Sequence, residues 1–336
     1  MRCYGVGMGI AKGTLKADGL LLLTAIIWGF AFVAQRSGMQ VIGPFAYSAV
    51  RFALGTLSLL PFLLLGKRRA LRHAPIQATA PAKTPHLGGA SKMGWAALAG
   101  LVLFAGANFQ QVGLVTTTAG NAGFITSLYV ILVPLIGFCF GKSSGIRIWI
   151  GAGLAVVGLY ILSVQHGFRM ASGDVLVLIG AFFWAGHILL INRLVSRMEA
   201  LEIAVGQFAT CSILSLIAAL LYEPALFAGV VPAAVPILYG GLLSIGVAYT
   251  LQIVAQKTAH PAHASIILSM EALFAGVGGV LFLHEPLTRR LVIGGVLMLA
   301  GMILSQLEPG ATHSGEDHDG MTSRIVEVAA EDQESE

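Results

Sequence analysis

The chain has 336 residues, 56% of them hydrophobic and only 11% charged, with a mean hydropathy of +0.83. Soluble domains carry roughly 25% charged residues, so the polar coating is too thin for a water-facing surface, which excludes a soluble enzyme and a disordered scaffold and makes this a membrane protein. The formal net charge of +4 does not point to nucleic acid, because most basic residues sit in short segments between apolar runs.

A bilayer core takes about 20 mostly apolar residues per helix, and ten runs meet that requirement, near 17–35, 44–66, 93–114, 119–140, 146–165, 173–192, 200–221, 234–256, 262–284 and 288–307. Lys12 and Lys16 precede the first run as in a signal peptide, but no small-x-small cleavage site follows and the run ends in Gln35-Arg36 before another span, so it reads as a retained helix. After the second span, residues 67–92 open with Lys67-Arg68-Arg69 and continue through Pro75, Pro81 and Pro85, a basic loop. Asn108, Gln110, Gln111, Asn121 and Tyr129 make spans 3 and 4 polar, as Tyr249 and Gln252 do for span 8. Lipid cannot satisfy such groups, so they face other helices or a wet cavity. Pro134 predicts a kink in span 4. Gly151, Ala155 and Gly158 in span 5 form a small-residue stripe matched by Gly294 and Gly301 in span 10, which allows close helix approach within the monomer or across a homodimer. Residues 308–336 hold nine of the sixteen acidic residues and read as a disordered acidic tail. Cys3, Cys139 and Cys211 show no CxxC spacing, so they read as small apolar packers with neither a zinc site nor a disulfide framework.

The chain repeats itself. A shift of 156 places Asp18, Trp28 and Arg51-Phe52 on Asp174, Trp184 and Gln207-Phe208. Shifts of 140 and 143 then superpose Gly106, Phe109 and Thr118-Ala119 on Gly246, Tyr249 and Thr258-Ala259, and Ile150-Gly151 and Gly158 on Ile293-Gly294 and Gly301. Each half holds five helices, and an odd repeat enters the membrane from opposite sides. The expected fold class is therefore all-α integral membrane, with ten transmembrane helices as two inverted five-helix repeats, 17–165 and 173–307, followed by the tail. With the N-terminus inside, fifteen basic loop and terminal residues collect on the cytoplasmic face, against Arg36, Arg169, Arg289 and Arg290 opposite. Both termini are thus expected in the cytoplasm of a multi-pass plasma or inner-membrane protein. Residues 1–307 carry nineteen basic and seven acidic residues, a formal +12, whereas the tail carries one and nine, a formal −8. The mild net basicity is a topology signal.

Ionisable groups inside a bilayer are expensive and need a reason. Glu271, about 13 Å from the inner surface, reads either as a proton-coupling or amine-binding carboxylate facing a central cavity or as a structural carboxylate. Arg51 differs from it in depth by only about 6 Å, within reach of long side chains, so an Arg51–Glu271 pair linking the halves is an expectation; taken alone, Arg51 reads as a structural anchor ahead of a substrate contact. His187, near the cytoplasmic end of span 6, reads as a snorkelling or hydrogen-bonded group or as a titrating one. Trp28 and Trp184 lie nearer mid-membrane than the interfacial belt, where each indole N–H needs a partner and each ring offers a stacking face. Tyr129, about mid-span, is placed in a pocket. Enzyme motifs fail: Gly5-Val6-Gly7-Met8-Gly9 lacks the dinucleotide spacing and strand, and His284-Glu285-Pro286 is not HExxH. Nothing calls for a metal or cofactor.

Several of these residues together resemble the EamA-like drug/metabolite transporter superfamily: Ala25-Ile26-Ile27-Trp28-Gly29-Phe30 in span 1, Val50-Arg51-Phe52 in span 2, and Leu283-His284-Glu285-Pro286-Leu287-Thr288 followed by Ile293-Gly294-Gly295 and Ala300-Gly301. The resemblance covers about 17–307 and implies a ten-helix secondary transporter, usually moving small metabolites such as amino acids, often outward. It also implies that Glu285-Pro286 is an interfacial structural pair. Family members commonly carry Glu-Pro in span 9, whereas Glu271 is followed by Ala272, so a straighter helix is expected there. The partners expected are the bilayer, a small solute and protons as coupling ion. The alternatives are a non-transporting membrane sensor or assembly protein, and a lipid flippase.

Overall fold

The computed structural model describes residues 12–72, 89–139, 145–163, 170–195, 197–224, 228–256 and 267–306. Most of the 67–92 loop and all of the acidic tail lie outside them. Ten helices follow one another among the described residues: α1 (Lys12–Gly38), α2 (Pro44–Arg72), α3 (Gly89–Gly113), α4 (Ala119–Cys139), α5 (Ile146–Ser163), α6 (Ser172–Leu194), α7 (Ala200–Tyr222), α8 (234–256), α9 (Ile267–Leu283) and α10 (Arg289–Gln306). Eight are long and apolar enough to cross a membrane, and α9 is a shorter apolar helix. This is an all-helical membrane protein, because only structures that satisfy their own backbone groups persist in lipid.

The helix pairing is that of two repeats related by a two-fold. α2 packs on α7, α4 on α9 and α5 on α10, each helix against its own counterpart in the other half. The remaining large contacts come in matched pairs: α3 with α6 mirrors α8 with α1, α3 with α7 mirrors α8 with α2, and α1 with α9 mirrors α6 with α4. Five helices per repeat set the two halves in opposite directions across the membrane.

Small residues set the closest of these contacts. A Cβ built on Gly158 would lie 2.6 Å from the Gly294 carbonyl oxygen, and one on Gly151 would lie 2.5 Å from that of Gly301. Backbones that approach so far gain van der Waals contact that lipid chains cannot match. The α5 stripe is therefore spent on α10 inside the monomer rather than on a second copy. Two carboxylates hold the helix ends. Glu285, brought round by the left-handed backbone of His284 (φ 53°), accepts from the Ala119 and Gly120 N–H groups at 2.7 and 3.3 Å, at the start of α4. Glu223 accepts from the Phe45 and Ala46 N–H groups at 2.8 and 2.9 Å, at the start of α2. Each satisfies orphan donors and the positive end of a helix dipole.

Three helices are irregular, and none where the sequence places it. α4 divides into Ala119–Ser127 and Tyr129–Cys139, with the interruption at Leu128 rather than at Pro134. In α8 a short helix, Ala234–Leu238, leads into a π-helical stretch, Tyr239–Ala248, before Tyr249–Gln256 resumes the α-form. The expected straight α9 is also corrected. A turn at Met270, whose N–H bonds back to the Ile267 carbonyl at 3.1 Å, precedes the regular helix Glu271–Leu283. The interruption occurs without a proline and coincides with a close helix contact. A Cβ on Gly29 of α1 would lie 2.8 Å from the Glu271 carbonyl oxygen, so α1 approaches α9 closely beside the interruption.

Of the cysteines, Cys211 is buried and Cys139 exposed, and both are free. Cys3 lies outside the described residues.

Candidate functional site

The interruptions of α4 and α9 meet. Glu271, 4% exposed, is the first residue of the regular part of α9, and its Oε1 accepts from the Ser127 hydroxyl at 3.3 Å and the Tyr129 hydroxyl at 3.1 Å. Those two donors flank Leu128. A carboxylate from the second repeat is thus held by two hydroxyls of the first, at the point where both helices lose their regular ladder. Interrupted helices at a repeat interface are where carriers of this architecture expose groups to a solute.

On α1, beside this point, begins a line of rings. Gly29, next in the chain to Trp28, lies against the Glu271 backbone carbonyl. The Trp28 indole N–H donates to the Ser244 carbonyl in the π-helical stretch at 3.0 Å, and its ring meets Tyr249 edge-on at 5.8 Å. Tyr249 meets Phe208 at 5.2 Å and Phe208 meets Phe52 at 5.9 Å. Arg51 closes the line, its guanidinium carbon 4.8 Å from the Phe52 ring centre and 5.5 Å from that of Tyr47. Trp28 and Arg51 thus stand at the two ends of one line of rings, and Tyr129 and Glu271 are bonded to each other where α1 packs on α9 through Gly29. The expected Arg51–Glu271 pair does not form: Glu271 spends its hydrogen bonds on α4, whereas Arg51 turns to the rings of α2.

Trp184 and His187 belong to a second, adjoining network. Gln110 is its hub. Its Oε1 accepts from the Trp184 indole at 3.0 Å and from Thr126 at 3.3 Å, and its amide donates to Gln35 at 3.0 Å. The hub ties α1, α3, α4 and α6 together, and Gln35, Gln110 and Thr126 are all buried. Trp184 meets His187 edge-on at 6.0 Å. His187 is buried, with Nε2 2.7 Å from the Gln207 Oε1, so it is bonded inside the bundle and does not snorkel to the surface. The two networks share the apolar cluster of Phe52, Phe208, Leu103 and Ile245, against which both Trp184 and Tyr249 pack.

The two tryptophans confirm the repeat in chemical detail. Trp28 on α1 bonds to α8, and Trp184 on α6 bonds to α3, the equivalent helix of the other half. Gln35, Thr126 and Ser127 were not visible as site residues in the sequence. Gln35 carried a signal, since it lies seven residues after Trp28, two helical turns along the same face. Asp174, a marker of the repeat, accepts from Thr117 and, at 3.2 Å, from Asn121. Among the described residues no group of three or more His, Cys, Asp or Glu could hold a metal ion.

A ten-helix bundle of two opposed repeats, with broken helices meeting on a buried carboxylate, belongs to the membrane transporters. The chain belongs more narrowly to the EamA-like transporter family, whose profile matches residues 15–164 and again 171–307. It is 33% identical over 302 residues to an uncharacterized transporter of Archaeoglobus fulgidus, covering 89% of each chain. It is 31% identical over 180 residues to the uncharacterized inner membrane transporter YedA of Escherichia coli, covering 51% of each. A solved crystal structure superposes with a TM-score of 0.59 at 17% identity, over 86% of this chain and 96% of the other, which supports the fold alone.

Proposed function

We propose that the protein is a secondary carrier that moves a small metabolite, such as an amino acid, outward across the membrane by alternating access, with proton movement as its drive. The observation that carries this reading is the burial of Glu271 between two interrupted helices of opposite repeats. A carboxyl group there can hold a proton or face a substrate ammonium. Its hydroxyl partners, Ser127 and Tyr129, sit on the other repeat, so rocking of one repeat against the other remakes its surroundings. Trp28, Tyr129 and Trp184 are proposed as the walls of the solute path, and His187 as a group that sets the position of Gln207. The inverted pairing of helices supports alternation about a site near the midplane. The excess of basic residues in loops 67–92 and 193–197 supports cytoplasmic termini, and the printed description of the Escherichia coli relative supports an inner or plasma membrane location.

The test compares metabolites released by cells with and without the protein, then measures flux of the responding solute in reconstituted vesicles. Release of at least one small metabolite is expected, falling when an ionophore collapses the proton gradient. Glu271→Gln should lower gradient-driven flux by about tenfold or more, the loss of roughly 1.4 kcal/mol of coupling, while leaving the protein folded. Unchanged metabolite profiles would refute transport. Flux that ignores both the gradient and the substitution would refute the coupling role.

A further inference from the structure

We infer that Arg51 is the anion-recognising element of the central site, and that the carried solute brings a carboxylate which serves as its counter-charge. The inference rests on the transport reading above.

Arg51 is 4% exposed, and its Nε is buried with no hydrogen-bond partner. Its contacts are the faces of Tyr47 and Phe52. An arginine side chain is always charged and carries five N–H donors, and a buried charge without a partner is strongly unfavourable. Ring faces offset part of that cost but accept no hydrogen bond of ordinary strength. The neighbouring polar groups do not neutralise it either. Tyr47 gives its hydroxyl hydrogen to the Pro236 carbonyl at 3.0 Å, and Cys211 is a free thiol. Gly240 and Gly241 of α8 lie against Arg51 and contribute no side chain. Glu271 is engaged by α4. A structural anchor would be expected to end on a carbonyl or carboxylate, as Arg36 does on the Leu114 and Val115 carbonyls at 2.8 and 2.7 Å. Arg51 ends on nothing of the kind.

The guanidinium fork matches carboxylate and phosphate alike. Charge favours the carboxylate. One buried cation balances one negative charge, whereas a phosphate monoester carries close to two near neutral pH and would leave the site anionic. The ring line from Phe52 through Phe208 and Tyr249 to Trp28 gives an apolar wall to the body of such a solute.

The experiment uses the purified full-length protein in nanodiscs and follows thermal unfolding in sodium propionate, benzoate or 3-phenylpropionate, against sodium chloride and sodium phosphate at equal ionic strength and pH. At least one carboxylate should raise the melting temperature of the wild type above its value in chloride. Arg51→Gln should weaken the apparent affinity for it by about tenfold or more, without loss of stability in chloride. Equal responses of wild type and Arg51→Gln, or phosphate acting as strongly as every carboxylate, would overturn the inference. If Arg51→Gln does not fold, Arg51→Lys keeps the charge and loses the planar fork. Its carboxylate response should then be weaker, and an undiminished one would overturn the proposal. The two readings separate cleanly. Carboxylate binding lost in Arg51→Gln, with no metabolite released by cells, removes transport and leaves the anion site standing. Release without any Arg51-dependent carboxylate response removes the anion site and leaves transport.

Discussion

Removing the Glu285 carboxylate should destabilise the junction between the repeats by a measurable and graded amount. Glu285 accepts two backbone donors of α4, from Ala119 at 2.7 Å and Gly120 at 3.3 Å, while the Thr118 hydroxyl accepts the next free one, from Asn121, at 3.0 Å. Glu285→Ala leaves the first two donors without a partner at a helix start whose residues are buried, and each such loss costs about 1–3 kcal/mol. Withdrawal of the negative charge from the helix N-terminus adds about 0.5 kcal/mol. Glu285 itself is half-buried, so water reaching the vacated position recovers part of the cost, and the expected total is about 2–4 kcal/mol. Glu285→Gln keeps one oxygen as acceptor and loses the charge, so about 1–2 kcal/mol is expected. The assay is reversible unfolding in mixed micelles, followed by tryptophan fluorescence, for wild type and both variants. The reasoning fails if Glu285→Ala lies within about 0.5 kcal/mol of wild type, the range of an ordinary surface residue. It fails equally if the amide proves as costly as alanine, since the acceptor oxygen would then carry no weight.

Gly158→Leu should lower stability by about 3 kcal/mol or more, because its Cβ would lie 2.6 Å from the Gly294 carbonyl oxygen and 2.8 Å from the Met298 nitrogen, so α5 and α10 must part. A melting temperature equal to that of wild type would show that the two helices are not in contact at that point. Gln110→Leu strips partners from Trp184, Thr126 and Gln35 at once and should cost about 2–4 kcal/mol. Adding Trp184→Phe to that variant should then cost less than it does in wild type, by about 1 kcal/mol in a double-mutant cycle, whereas strict additivity would remove the hub. Trp28→Phe gives up a single bond to the Ser244 carbonyl and should cost about 1 kcal/mol, less than Gln110→Leu in the same unfolding assay.

What could be read from the sequence, and what could not, divides along a physical line. Hydropathy and length act residue by residue, so the run of apolar segments and the recurrence of Asp18 and Trp28 as Asp174 and Trp184 were legible without any knowledge of packing. The rise per residue gives an expected depth along each span. Rotation about the helix axis was not legible, and rotation decides partnership. Residue counting places Arg51 and Glu271 at similar depths, yet one faces the rings of α2 and the other the hydroxyls of α4, so a pairing argued from depth alone does not form. Helix breaks were hidden for a related reason. Pro134 is a local signal, but α4 is interrupted at Leu128 and α9 at Met270, where neither residue is a helix breaker; at α9 the interruption coincides with the close approach of Gly29 to the Glu271 carbonyl. Backbone acceptors are invisible for the most general reason, since every residue has one. The need of the Trp28 indole for a partner follows from its place in the membrane, but that the partner is the Ser244 carbonyl follows from the π-helical course of α8, which no residue there announces. Arg51 is informative because the same requirement is unmet: inside a membrane each polar group must find its complement in the protein or in what the protein carries, and the buried Arg51 Nε, left without an acceptor, is the reason for proposing that the solute supplies one.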